Sequence, residues 1–310
     1  MSRDYSPEDL AQPRDSSPVA RTRGVTQRRP NALEESDRGR AADNRAMPRP
    51  APEKPHSNLR SSEPRMPFKL HDRIYRLRGS EIQTMVDVGK FRALDPKDLE
   101  QFAYAGNRSH LQADLANLRR QRLIVQRQMP RRDARPRQLV ALTKEGRRFL
   151  IAHERVPKNQ ALYYGFSKPR EAHHDADLYR VYQKAADQIT KKGGKNIRVV
   201  LDAELKRVVY RDLARAKRDT NSPDTAAIAE RHGLKVIRGK IPVPDLRIEY
   251  ESADRDPARV DLELATEHYR FRNLAQKANA GFSMYARADE LSKLRRVMDD
   301  RELIAEIMSL

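Results

Sequence analysis

The chain has 310 residues, room for one large or two modest domains, and its 63 Lys and Arg against 44 Asp and Glu give a net charge of +19 that favours a polyanionic partner. Zero cysteines exclude disulfides, iron–sulfur ligation and thiolate zinc sites, zinc fingers included, and zero tryptophans leave any base stacking to Tyr, Phe or Arg. No run approaches the roughly 18 apolar residues that cross a bilayer, and the polar start MSRDYSPEDL lacks a secretory signal's apolar stretch, so a cytoplasmic protein without a membrane partner is expected.

From Met1 to about Pro67 the chain is Pro, Arg, Ser and Asp with hardly a large apolar residue. Such a segment buries too little to offset the entropy of ordering, and residues 1–70 read as a disordered basic arm, net +4. Residues 71–157 are different: through residue 160 this part carries 20 basic and 10 acidic side chains, against a net +5 in the longer stretch 161–310. In GSEIQTMVDVGKFRAL, Ile82, Met85, Val88 and Phe91 fall at helical spacing behind a Ser80 cap. Asp95-Pro96 starts a second helix that Gly106 stops.

Asn107 to Arg120 form a third helix, with Leu111, Leu115 and Leu118 on the packing face and Arg108, Ser109, Gln112, Asn117, Arg119 and Arg120 available to reach outward. Arg can read guanine and Gln or Asn adenine in a major groove, so this helix is the candidate reader of double-stranded DNA. LIVQRQ and RQLVAL read as strands around a turn-rich loop, and TKEGRRFLIAHE as a further helix. Five arginines, Arg127, Arg131, Arg132, Arg135 and Arg137, stand within eleven residues beside the single acid Asp133, which suits phosphate or minor-groove contact. Three helices, a basic hairpin and a helix predict a winged helix-turn-helix.

Residues 158–310 alternate helical and strand patterns, so the whole is expected to be α+β. The helix DADLYRVYQKAADQI is followed by strands IRVVLD, LKVIRG, PDLRIEY and VDLELAT, with helices ELKRVVYRDLARAKRD, TAAIAERHG and FRNLAQKANAGF between and after them. In the tail, Leu291, Leu294, Met298, Leu303 and Ile307 keep helical register, as a closing helix or a homodimer contact. Glu204, Asp245 after Pro244, and Glu263 eighteen residues on follow the order of a restriction-endonuclease-like core, where carboxylates hold Mg²⁺ or Mn²⁺ to activate water. Such a core also needs a Lys two residues after the second acid. Here that residue is Ala265, and Lys277 is the one candidate to replace it. His268 is a further candidate proton carrier. His173 and His174 are adjacent on one helix and point about 100° apart, so they cannot chelate as an i, i+4 pair does, and they read as part of a helix N-terminus. No alternating His-x-His cluster accompanies Tyr163, Tyr164, Tyr179 and Tyr182, which argues against a strand-nicking relaxase.

The segment LRRQRLIVQRQ…RPRQLVALTKEGRRFL resembles the C-terminal half of winged-helix regulators, with Arg122 where they usually have Gly before Leu-Ile. Together with AHHDADLYRVY, LDAE, VPDLRIEY and LELATEHYRFRNLAQKANAGFSMY, it resembles the replication-relaxation family of plasmid and conjugative-element accessory proteins over roughly residues 80–290. That resemblance implies a winged helix joined to a nuclease-like domain, a role in replication, mobilisation or its regulation, and a relaxase or replication initiator as partner. The family-like positions are Glu204, Asp245, Glu263, Lys277 and Tyr285. Two functions follow: a DNA-binding protein with an inactive nuclease-like domain and no cofactor, or a metal-dependent DNA nuclease using Asp245, Glu263 and a displaced Lys277.

Overall fold

The computed structural model describes residues 63–131, 134–219, 224–266, 271–299 and 307–310. Its first element is a hairpin the sequence patterns did not predict, β1 (Met66–Leu70) with β2 (Arg73–Leu77), antiparallel. Residues 66–70 of the stretch expected to be a disordered arm thus form a strand, and residues 1–62 of it lie outside the described residues. Phe68, Tyr75 and Leu77 alternate onto the inner face of this hairpin, where Tyr75 and Leu77 are fully buried.

Helix α1 (Gly79–Phe91) begins one residue before the expected cap. Ser80 is already inside it and turns its hydroxyl to Asp114 at 2.6 Å, while Glu81 accepts the N–H of Arg78, the actual cap position, at 3.0 Å. Helices α2 (Pro96–Phe102) and α3 (Arg108–Arg120) start where Asp95 and Asn107 cap them, by accepting from the N–H groups of Lys97 and His110. The antiparallel strands β3 (Ile124–Arg131) and β4 (Ala134–Leu142) run further than expected, since pairing continues to Arg131 opposite Ala134 within the stretch that read as a loop. Helix α4 (Lys144–Ala152) follows.

The Leu-Thr…Gly string has a physical reason. Thr143 caps α4, donates its hydroxyl to the Arg122 carbonyl at 2.7 Å and its N–H to the Leu123 carbonyl at 3.0 Å. That carbonyl comes so near Gly146 that a Cβ there would sit 2.1 Å from it. Arg122 takes φ 61°, the left-handed conformation that a Gly would adopt more readily.

The 23-residue helix α5 (Pro169–Lys191) packs on α1, α2 and β3 on one side and on a five-stranded sheet on the other. The sheet is built from β5 (Lys195–Leu201), β6 (Leu246–Glu251), β7 (Pro257–Ala265), β8 (Ser283–Ala286) and β9 (Ile307–Ser309), in that spatial order. β5, β6 and β7 are antiparallel neighbours, whereas β8 and β9 each pair parallel to the strand before. Helices α6 (Asp202–Asp219) and α7 (Thr225–Arg231) lie between β5 and β6, α8 (Phe271–Asn279) connects β7 to β8, and α9 (Ala288–Asp299) connects β8 to β9. A parallel neighbour needs such a crossover, which α8 and α9 supply, whereas α6 and α7 are inserted in an antiparallel connection.

Two expectations fail here. LKVIRG is not a strand: Arg238 and Gly239 both take positive φ and turn the chain back at once, leaving a single bridge between Ile237 and Lys240. The tail is not one helix either, because Ile307 belongs to β9, buried against Ala265, Leu274, Met284 and Leu294. Its apolar side chain completes the chain's own sheet. The largest core cluster runs from Leu70 to Tyr285 and crosses the boundary expected at residue 157, with the Tyr179 ring 5.3 Å from Phe91 and 6.1 Å from Phe102. Among the described residues no helix is long and apolar enough to cross a membrane.

Candidate functional site

Two regions carry the residues singled out above. The first is α3 with the β3–β4 hairpin. Helix α3 is divided sharply between a buried and an exposed side. Leu111, Leu115 and Leu118 are buried with His110, Asp114 and Asn117, while Arg108, Ser109, Gln112, Ala113, Ala116, Arg119 and Arg120 are exposed. Asp114, fully enclosed, anchors the inner side. It pairs with Arg78 and accepts from Ser80 and from the Tyr104 hydroxyl at 2.9 Å, and that hydroxyl also meets Thr84 at 2.6 Å. Burying a carboxylate is tolerable only with such compensation. Burial together with the Asp114 charge holds the Tyr104 hydroxyl far above its ordinary pKa, so it stays a donor.

Asn117 belongs to that inner network and not to the outer face. Its amide donates to Glu81 at 2.9 Å and to the Arg76 carbonyl at 3.1 Å, and its own oxygen accepts from Arg120. Arg137 is likewise turned inward. Its side chain is 12% exposed and engages Asp95 and Asp98 at the start of α2 and Asp177 on α5. Strand alternation explains it: Arg137 shares a face of β4 with the fully buried Leu139, and that face lies against α5. Arg127, Arg131 and Arg135 are exposed, with the Arg127 guanidinium 5.7 Å from the Phe166 ring. Arg132 lies outside the described residues, as does His268.

The second region lies where β5, β6, β7, α5 and α8 meet. Asp245 just before β6 and Glu263 on β7 are brought together: the Asp245 N–H donates to Glu263 Oε2 at 3.2 Å. Lys277 does pack beside them, its Nζ 2.9 Å from both Glu263 oxygens and 2.6 Å from the Val243 carbonyl. His174, read above as part of a helix N-terminus, reaches Asp245 Oδ1 at 3.5 Å, and the Leu264 N–H occupies Asp245 Oδ2 at 3.0 Å. Lys206 and Asp202, paired at 2.7 Å, stand next to them. Burial opposes charge on His174, but the Asp245 carboxylate outweighs it and raises the imidazole to about 9. Burial likewise opposes charge on Asp245, and His174 and then Lys277 overcome it, holding the carboxyl below its ordinary range. The result is a cluster in which imidazolium and ammonium neutralise two carboxylates. Each of the four carboxylate oxygens is held by a donor of the protein, where a divalent ion would need those oxygens for itself.

Glu204 is placed elsewhere, in the first turn of α6, where it pairs with Arg198. Tyr285 is a core side chain on β8. The members that sequence reasoning missed are His174 and Lys206. For His174 the signal was an i, i+1 pair, and only the tertiary placement of β6 beside α5 selects the second histidine. No family model matches the chain, and neither curated proteins nor solved structures include a significant match.

The His174–Asp245 pair carries a pH signature. The folded chain keeps a proton on His174 up to about 9, whereas an unfolded histidine releases it near 6.5. This contribution is complete below about pH 6.5 and is lost as pH rises through about 9. Urea unfolding across pH 6–10 should therefore show stability falling over that window, and His174→Gln should remove that component and leave the two proteins closest in stability at pH 10. A His174→Gln profile parallel to the parent would mean that the pair contributes nothing.

Proposed function

We propose that this chain is a DNA-binding protein of a plasmid or conjugative element, acting in replication, mobilisation or their regulation. In this reading α1–α4 with the β3–β4 hairpin form a winged helix that grips duplex DNA. The observation that carries it is the exposed side of α3, where Ser109, Gln112, Arg119 and Arg120 flank Ala113 and Ala116. Two alanines let the helix backbone approach a groove floor, and the polar side chains at either side have the donors and acceptors that base edges and phosphates require. Arg127, Arg131 and Arg135 of the hairpin extend the positive surface. A relaxase or replication initiator is the protein partner that this role calls for.

The order α5, β5, β6, β7, α8, β8, with three antiparallel strands and a parallel fourth, supports a restriction-endonuclease-like second half, α6 and α7 being an insertion. The neutralised state of Asp245 and Glu263 favours a scaffold role for it. One observation favours the alternative of a metal-dependent nuclease: Lys277 lies 2.9 Å from Glu263, so a lysine is available although Ala265 occupies the usual position.

Six arginines on the proposed surface, Arg108, Arg119, Arg120, Arg127, Arg131 and Arg135, each neutralising one phosphate, give log K against log salt a slope of about −5, at about −0.9 per phosphate. Arg131→Ala with Arg135→Ala should flatten the slope by about 2 at unchanged fold. Arg137→Ala should act differently, costing about 3–5 kcal/mol of stability because it takes one counter-charge from each of three buried carboxylates. Fluorescence anisotropy at several salt concentrations measures the slopes, and an unchanged slope in the double variant would place the duplex elsewhere.

Incubation of purified protein with supercoiled plasmid and Mg²⁺ or Mn²⁺ separates scaffold from nuclease. The scaffold reading expects the same trace nicking from the parent, Asp245→Ala, Glu263→Ala and Lys277→Ala. Nicking by the parent that disappears in all three variants would make the chain a nuclease with a displaced lysine.

A further inference from the structure

On the sheet face covered by α6 and α7 lies a cleft of about 310 Å³, distinct from both regions above. Strand register creates its floor. Arg198 on β5 stands opposite Glu249 on β6, Glu249 opposite Arg259 on β7, and in the next row Arg247 on β6 stands opposite Asp261 on β7. Cross-strand charge pairs of this kind stabilise a sheet and by themselves need no ligand. Two further observations do not fit a self-satisfied ladder.

The first is charge. The walls carry the five arginines Arg198, Arg211, Arg231, Arg247 and Arg259 against the two glutamates Glu204 and Glu249. The floor arginines are committed: Arg198 pairs with both glutamates, and the buried Arg247 forks onto Asp261 while donating to the carbonyls of His232 and Gly233. The rim arginines are held more loosely. Arg211 and Arg231 stand 3.4 and 3.9 Å from one carboxylate, Asp212, which already accepts from His232 at 2.9 Å. Arg259 is exposed with its guanidinium laid over the backbone of Gly233, where an added Cβ would meet it at 2.0 Å. Closely gathered guanidinium groups repel one another unless an anion sits between them. The second observation is an orphan acceptor. Glu204 Oε2 is buried at the cleft wall with no hydrogen-bond partner among the described residues, although its other oxygen is held by Arg198. Burial, only partly offset by Arg198, raises the pKa of this carboxyl. A buried polar atom left unpaired costs free energy that a donor would recover.

We propose that this cleft binds a phosphate ester that also carries a hydrogen-bond donor, with a nucleotide as the ligand class: the phosphate between Arg211, Arg231 and Arg259, and a hydroxyl or amino donor toward which the Glu204 carboxylate turns its unpaired oxygen. The size agrees, since pockets for small organic ligands begin at about 300 Å³. Forked guanidinium donors match phosphate oxygens, and a bare phosphate would leave the glutamate unserved. The site does not depend on the duplex contact of α3 and the hairpin.

The test is calorimetric titration of the full chain with ATP, with inorganic phosphate, and with a single-stranded oligonucleotide with or without a 5′-phosphate. The same titrations follow on Arg231→Ala with Arg259→Ala, whose side chains are exposed so that the fold is retained, as circular dichroism and the thermal midpoint will verify. Saturable ATP binding, tighter than phosphate and at least tenfold weaker in the double variant, is expected. If ATP does not bind but the 5′-phosphorylated strand does, with the same arginine dependence and a requirement for its terminal phosphate, the ligand is a DNA end and the phosphate-ester site stands. Absence of saturable binding by both, or binding that the double variant leaves unchanged, overturns the proposal.

Discussion

A single carboxylate, Asp177 in the first half of α5, joins the two halves of this molecule. It is enclosed between Arg137 from the β3–β4 hairpin and Arg287 at the end of β8. Burial acts to raise its pKa, but the two guanidinium groups outweigh it and keep Asp177 below its ordinary value, hence charged. A buried charge of this kind cannot be separated from its counter-charges without leaving them unpaired, so hairpin, helix and sheet are fixed to one another. Arg137 extends the constraint to α2 through Asp95 and Asp98, and Arg180 one turn further along α5 adds a second bond to Asp98 at 2.7 Å. The apolar core supports the same junction with Phe91, Phe102, Tyr179 and Tyr182.

This junction bears on the proposed duplex contact because it decides which side of the hairpin is available. With Met129, Leu139 and Arg137 turned to α5, the exposed end of the hairpin, where Arg131 and Arg135 stand, remains for an external partner. Helix α3 is constrained in the same way by the Asp114 network on its inner side. A reading helix held by packing and buried hydrogen bonds is pre-organised, so that little ordering entropy is spent on association. The proposed interface thus rests on two buried polar centres, Asp114 beneath α3 and Asp177 beneath the hairpin.

Much of the local structure was legible in the sequence. The cap at Asp95 and the leucine period of α3 are local signals, and they located the start of α2 and the span of α3 closely, although α2 ends at Phe102, short of the stop expected at Gly106. What sequence could not supply was the direction of side chains across a tertiary contact. Five arginines within eleven residues looked equivalent, yet strand alternation and the nearness of α5 turned Arg137 inward. Asn117, one residue from the leucine stripe, was drawn to Glu81 by a helix far away in sequence. The β1–β2 hairpin was missed because its apolar residues are few and its alternation spans only five-residue strands, and β9 was missed because three residues next to a helical pattern carry no period of their own. Of the candidate carboxylate centre, Asp245, Glu263 and Lys277 were named from order along the chain and do converge, whereas Glu204 went to Arg198 and His174 became visible only when β6 and α5 were seen together.

Arginine footprinting tests the central claim most directly. Phenylglyoxal modification of the full chain, with and without saturating duplex and read by mass spectrometry, reports each guanidinium separately. The proposed interface predicts that Arg108, Arg119, Arg120, Arg127, Arg131 and Arg135 lose reactivity when duplex is bound, that Arg137 is unreactive in both states, and that the cleft arginines Arg211, Arg231 and Arg259 remain as reactive as before. Duplex that shields the cleft arginines and leaves those of α3 and the hairpin open to reagent would contradict the account.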